Sequence, residues 1–186
     1  MRIEDCPMDI LLRLSRLIDA LNDRFAIAAK WAVLASCFIS AGNALVRYLL
    51  NYSSNAWLEI QWYLFAACVM LGAAQVLRLN EHVRVDVAYG HYPGRVQAWV
   101  DLLGLLLFLV PVMVLMIVFA WPLFLQMYNT GEMSSNSGGL IRWPAMLLLP
   151  VGFTLVLLQG LSEAIKRAAW LANRYQGEFH YERPLQ

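Results

Sequence analysis

The sequence predicts an all-α integral membrane protein with four transmembrane helices preceded by an amphipathic interfacial helix, both termini cytoplasmic. Three observations lead there. The 186 residues are 60% hydrophobic and 15% charged, with a mean hydropathy of +0.55, whereas a soluble domain needs roughly a quarter of its residues charged to cover its surface. Four apolar stretches are each long enough to cross a hydrocarbon core of about 30 Å at about 1.5 Å per residue. The charges gather in a few segments outside those stretches.

The first element is expected over residues 1–25. In "MDILLRLSRLIDALNDRFAIAAKW", Ile10, Leu11, Leu14, Leu17, Ile18, Leu21 and Phe25 recur at helical spacing, with Arg13, Arg16, Asp19, Asn22 and Asp23 on the opposite face. Such a helix lies in the membrane interface or packs on a partner protein. The apolar run is too interrupted for a signal peptide.

A transmembrane domain is expected over residues 26–167. Its first span covers 26–50, uncharged from Trp31 to Val46. The second covers 58–77, with Glu59 in its first turn and Arg78 just beyond its end. The third covers 98–128 and carries no charge from Leu102 to Leu125. It is expected to kink or tilt, because Pro111 and Pro122 each remove a backbone hydrogen bond. The fourth, 143–163, opens on Trp143-Pro144, where a proline loses no helical bond. Residues 168–186 read as a polar cytoplasmic tail.

Orientation follows from lysine and arginine, which resist translocation. Twelve of the fourteen lie in the N-terminal segment, the second connection and the tail. Arg47 alone falls near the first connection and Arg142 alone in the third, so these two connections are expected outside. Tyr48, Tyr52, Trp57, Trp62, Tyr63, Tyr128 and Trp143 would form the aromatic belt at that edge.

Several function classes are disfavoured. Cys6, Cys37 and Cys68 offer no disulfide framework in reducing or apolar surroundings. His82, His91 and His180 all lie outside the spans, whereas a haem-bearing anchor needs imidazoles within its helices. No C-x-x-C, H-E-x-x-H, Gly-rich phosphate loop or G-x-S-x-G occurs. An enzyme is therefore not expected, nor a cofactor, a metal site or a nucleic-acid partner.

A transporter working alone should place ionisable groups near the bilayer centre. Here Lys30, Arg47, Glu59 and Asp101 all sit near span ends, where Glu59 and Asp101 suit a helix start and Arg47 a helix end. Arg47 and Glu59 face each other across "NYSSN" and are candidates to pair. Asn43, Gln75 and Gln159 are the polar residues left within the spans, suited to interhelical hydrogen bonds. Ala28, Ala32, Ser36, Ser40 and Ala44 recur every four residues, a seam that lets another helix approach, whether of this chain or of a partner subunit.

These features resemble the small membrane subunit (DctQ type) of tripartite ATP-independent periplasmic (TRAP) transporters. The likeness rests on "WLEIQWYLFAACVMLGAAQVL", the following "NEHVRVDV", "GEMSSNSGGLIRWPAMLLLPVGF" and "LLQGLSEAIKR", in that order over about residues 26–167. Matching positions are Trp57, Glu59, His82, Arg84, Val85, Asp86, Glu132, Trp143, Pro144, Pro150 and Gly152. The resemblance implies a bacterial inner-membrane complex that imports an organic acid. A periplasmic binding protein delivers the substrate to a large membrane subunit driven by an ion gradient, usually sodium, and the small subunit is a fixed scaffold among membrane lipids.

On that expectation, Arg47, Glu59, His82, Arg84, Asp86, Ala32, Ser36 and Ser40 are candidates for subunit contacts or structural roles. Glu132, Ser134, Ser135 and Arg142, in the third connection, are candidates for docking the binding protein. In "NEHVRVDV", His82, Arg84 and Asp86 alternate with Val83, Val85 and Val87, so an extended segment would have one polar and one apolar side. Two rivals stay open: a small homo-oligomeric exporter with Glu59 as its proton site, and an anchor subunit of a respiratory complex.

Overall fold

The computed structural model describes residues 7–52, 54–81, 89 and 92–175. Among them, four long helices hold almost everything: α1 (Pro7–Leu50), α2 (Asn55–Leu79), α3 (Gly94–Thr130) and α4 (Trp143–Leu171). All four are long and apolar enough to cross a membrane. The described residues contain no strand, only an isolated antiparallel bridge between Met133 and Ile141.

α1 differs most from expectation, because its 44 residues form one unbroken helix, about 66 Å long at the usual rise. The expected boundary at residue 25 is therefore not a break in the backbone. No glycine or proline lies between Pro7 and Gly42 to interrupt it. The burial pattern also differs from that of a lone interfacial helix. Ser15, Ile18, Asn22, Ala26 and Ala29 are buried, while Ile10, Leu14, Leu17 and Leu21 stay exposed.

The helix ends have local causes. Asn51 and Asn80, which follow α1 and α2, have φ of 50° and 60°, and Gly131 after α3 has φ of 62°. Asparagine and glycine tolerate this left-handed conformation, which stops a helix and lets its last carbonyls find donors. Accordingly Asn80 N–H donates to Leu77 O at 3.2 Å and Glu81 N–H to Val76 O at 3.2 Å.

The disturbance expected from Pro111 takes the form of a π-helical turn over Leu105–Leu109 inside α3. The proline ring crowds the carbonyl four residues back, at Leu107, and a wider turn relieves that clash. Past Pro122 the helix continues in α form. α4 starts at Trp143-Pro144 and runs to Leu171, several residues beyond the expected end of the fourth span.

α2 packs between α1 and α4, and α4 between α2 and α3, while the N-terminal part of α1 also reaches α4. α4 thus touches each of the other three helices. Its glycines set the spacing: a Cβ on Gly152 would lie 2.7 Å from Met70 Cβ and 2.8 Å from Met70 O, so α2 and α4 meet backbone to backbone there. A Cβ on Gly160 would come within 2.5 Å of Leu109 Cδ2, at the π turn of α3. The start of α1 and the end of α4 lie at one end of the bundle, the terminal end. The α1–α2 turn and the α3–α4 loop lie at the other, the loop end.

Candidate functional site

Polar side chains converge in two places, one at each end of the bundle. At the loop end, residues 131–142 fold back as a short hairpin, with Ser134 N–H donating to Leu140 O at 2.8 Å and Arg142 N–H to Glu132 O at 3.0 Å. Glu59, in the second turn of α2, is the hub beneath it and is 2% exposed. Its Oε1 accepts from Ser134 Oγ and, at 2.8 Å, from Asn136 Nδ2; its Oε2 accepts from Leu140 N–H at 2.6 Å.

Gly139 belongs to this clasp through what it lacks. A Cβ there would sit 2.6 Å from Ser134 Cβ and 2.8 Å from Glu59 Oε1. Three further contacts hold the hairpin down. Asn55 Nδ2 donates to Ser137 O at 2.8 Å, Tyr63 Oη to Ile141 O at 3.0 Å, and Arg142 pairs with Glu132 at 2.6 Å. Tyr128 meets Trp143 edge to face, centroids 5.5 Å apart, closing the base of the loop.

The expected pairing of Arg47 with Glu59 is replaced by this clasp, because the loop supplies Glu59 with three donors. Arg47 stays exposed in the last turn of α1. Of the loop residues singled out from the sequence, Ser134 is taken up by Glu59, Glu132 and Arg142 by each other, and Ser135 is left exposed. Of the seam on α1, Ala32 and Ser36 are half-buried, with Ser36 Oγ 3.5 Å from Gln61 O, while Ser40 is exposed. His82, Arg84 and Asp86 lie outside the described residues.

At the terminal end, α1 and α4 meet through polar stripes. On α4, Gln159, Ser162, Glu163, Lys166 and Arg167 share one face at helical spacing, and all five are buried. They meet Ser15, Asp19 and Asn22 of α1. Gln159 accepts from Asn22 Nδ2 at 2.6 Å and donates to Asp19 Oδ1 at 2.9 Å and Glu163 Oε1 at 3.1 Å. Ser15 and Ser162 hydroxyls bond at 2.7 Å.

Charges complete this network. Lys166 lies between Glu163 and Asp19, 3.1 Å from Asp19 Oδ2. Arg167 bridges Glu163 Oε2 at 2.7 Å and Asp101 Oδ2 of α3 at 3.1 Å. Arg78 at the end of α2 pairs with Asp23 at 2.5 Å. Every helix therefore contributes a charge to one continuous cluster. Among the described residues, Asn22 Oδ1 is the one buried side-chain polar atom with no hydrogen-bond partner.

Among the described residues no three His, Cys, Asp or Glu side chains come together as metal ligands would. Asp19, Asp23, Glu59 and Asp101 take donors from another helix or loop, and Glu163 takes its donors from α4 itself, which is the chemistry of fastening. Gln159 was legible in the sequence as an interhelical hydrogen-bonding residue. The rest of the terminal network was not, although its signal existed: polar residues at positions 159, 162, 163, 166 and 167 repeat where a core-facing stripe would fall.

Comparison with known proteins identifies a family. The family model described as "Tripartite ATP-independent periplasmic transporters, DctQ component" matches residues 36–169. The matched range contains the whole loop-end clasp and the α2, α3 and α4 shares of the terminal network, and begins after Asp19, Asn22 and Asp23. No curated protein and no solved structure matches the chain.

Proposed function

The chain belongs to the DctQ component family of tripartite ATP-independent periplasmic (TRAP) transporters, as a small membrane subunit, and from that premise we propose that it acts as the fixed scaffold of an importer. In this reading it stays still beside a large membrane subunit. That subunit carries an organic acid inward on an ion gradient, usually of sodium, after a periplasmic binding protein has delivered it. The complex sits in a bacterial inner membrane, with the terminal end of the bundle cytoplasmic and the loop end outside.

One observation supports this above all. Residues 31–46, 60–77, 102–131 and 143–162 contain no Asp, Glu, Lys, Arg or His, and the charges of the two clusters are bound to each other or to polar and backbone donors. A relay or substrate path needs ionisable groups within the span and free to exchange partners. A frame needs the opposite, helices locked at both ends. The lone-exporter reading requires Glu59 to take up and release protons in transit, yet its carboxylate anchors a loop through three donors.

The loop also offers a landing surface. With Ser134 bound to Glu59 and Glu132 and Arg142 paired with each other, docking of the binding protein would fall to the exposed rim, Ser135 to Gly138.

The test is reconstitution. Large subunit, binding protein and substrate are assembled in proteoliposomes with and without this chain. Uptake should depend on the chain, while the substrate preference and the ion-to-substrate ratio should be set by the large subunit. Full uptake without the chain, or transport by the chain alone, would refute the scaffold reading.

A further inference from the structure

A scaffold must meet its partner along one face, and the exposed surfaces of this bundle differ sharply in chemistry. The exposed face of α3 is apolar throughout its span, with Leu107, Phe108, Leu115 and Phe119 each more than half exposed. Such a face suits acyl chains. Between α1 and α2 at the loop end lies a groove of another kind, lined by Ser40, Asn43, Arg47, Asn51, Leu58 and Gln61.

Among the described residues, the side chains of Ser40, Asn43, Arg47, Asn51 and Gln61 make no side-chain hydrogen bond or ion pair. Facing hydrocarbon, they would leave donors and acceptors unsatisfied, which a membrane span tolerates poorly. Arg47, three residues from the end of α1, could reach a lipid phosphate by extending along the helix. Ser40 and Asn43 could not, since Ser40 lies ten residues from Leu50, about 15 Å down the helix and near the middle of a hydrocarbon core of about 30 Å. Only protein brings polar groups to that depth. The small side chains of Ser40 and Ala44 leave room for a helix to come close.

Resting on the scaffold reading, we propose that this groove is the seat of the large subunit, and that it receives a transmembrane helix presenting a carboxylate to Arg47. A cation in a low-dielectric groove with no acid of its own is matched by an anion on the partner. Asn43 and Gln61 then supply amide donors and acceptors to the same helix.

The experiment uses the tagged chain expressed with its large subunit in native membranes. A photoreactive residue is placed at Ala44 or Leu58 in the groove, and at Val112 or Phe119 on α3. Groove positions should give an adduct with the large subunit, and α3 positions should not. Arg47→Glu should lower the co-purified large subunit by about tenfold or more, since like charges meet across the interface, and Arg47→Lys should retain most of it. Because Arg47 has no partner among the described residues, the melting temperature of the purified Arg47→Glu chain should match the wild type, which separates loss of contact from misfolding.

Adducts with the large subunit from α3 alone, groove adducts with a second copy of this chain alone, or groove adducts with phospholipid alone would each overturn the assignment. So would normal co-purification of Arg47→Glu. If the wild-type chain retains the large subunit while the groove gives no adduct, only the groove assignment falls. If the wild-type chain does not retain it, the scaffold reading falls as well.

Discussion

Glu59 and Lys166 show how the same tactic, a charge surrounded by partners, serves different ends. Glu59 fixes a loop. Replacing it with glutamine would set an amide N–H₂ against the donors of Ser134, Asn136 and Leu140 that now converge on the carboxylate. The expected result is faster hydrogen exchange at the amides of Ser134 and Leu140 and earlier protease cleavage in residues 131–142, with the ion-to-substrate ratio of the assembled transporter unchanged. Lys166 fixes helices instead. Its removal as Lys166→Met leaves Asp19 and Glu163 facing each other in a buried site, and breaking a buried pair in this way costs about 3–5 kcal/mol. In detergent the melting temperature should fall by on the order of 10 °C, and Lys166→Arg should recover part of it. Arg78 with Asp23, at the rim with side chains 31% and 47% exposed, should matter far less, at about 1 kcal/mol or below.

Helix contacts depend on where side chains are missing. Gly152→Ala would force a methyl against the backbone of Met70, which cannot swing aside, and overpacking of this kind costs about 1–3 kcal/mol. Gly72→Ala should be tolerated, because its new Cβ would meet Ala29 Cβ at an ordinary 3.7 Å. Thermal melts of the two variants give the comparison, with Gly152→Ala lower and Gly72→Ala at or slightly above the wild type. The helices themselves were legible in the sequence, since length and apolar content decide whether a segment can span. The unbroken α1 was less so. Composition changes at residue 25, but backbone continuity depends only on the absence of a breaker, and none occurs. The terminal network escaped notice because Asp19 and Glu163 are 144 positions apart, and periodicity within a helix cannot identify the helix it faces. Glu59 was singled out, but its partner was assigned to the nearest cation in sequence, when the loop of residues 131–142 folds onto it in space.

The whole molecule has a polar fastening at each end and bare helices between. If the arginine and lysine distribution sets its orientation, the loop end is outside. With Cys6, Cys37 and Cys68 replaced, a cysteine at Ser135 should react with a membrane-impermeant maleimide in intact spheroplasts, and one at Asn173 only after permeabilisation. The reverse pattern would invert the complex. The terminal network has a consequence in time as well as in space. Ser15, Asn22 and Asp19 are made 137 to 147 residues before their partners on α4. Until Gln159 to Arg167 arrive, Ser15 and Asn22 lack their partners and Asp19 has only Arg78 of α2 beside it. The terminal end of the bundle thus cannot close until α4 has been made, and a product cut short ahead of Gln159 would leave Ser15 and Asn22 without the partners that bury them.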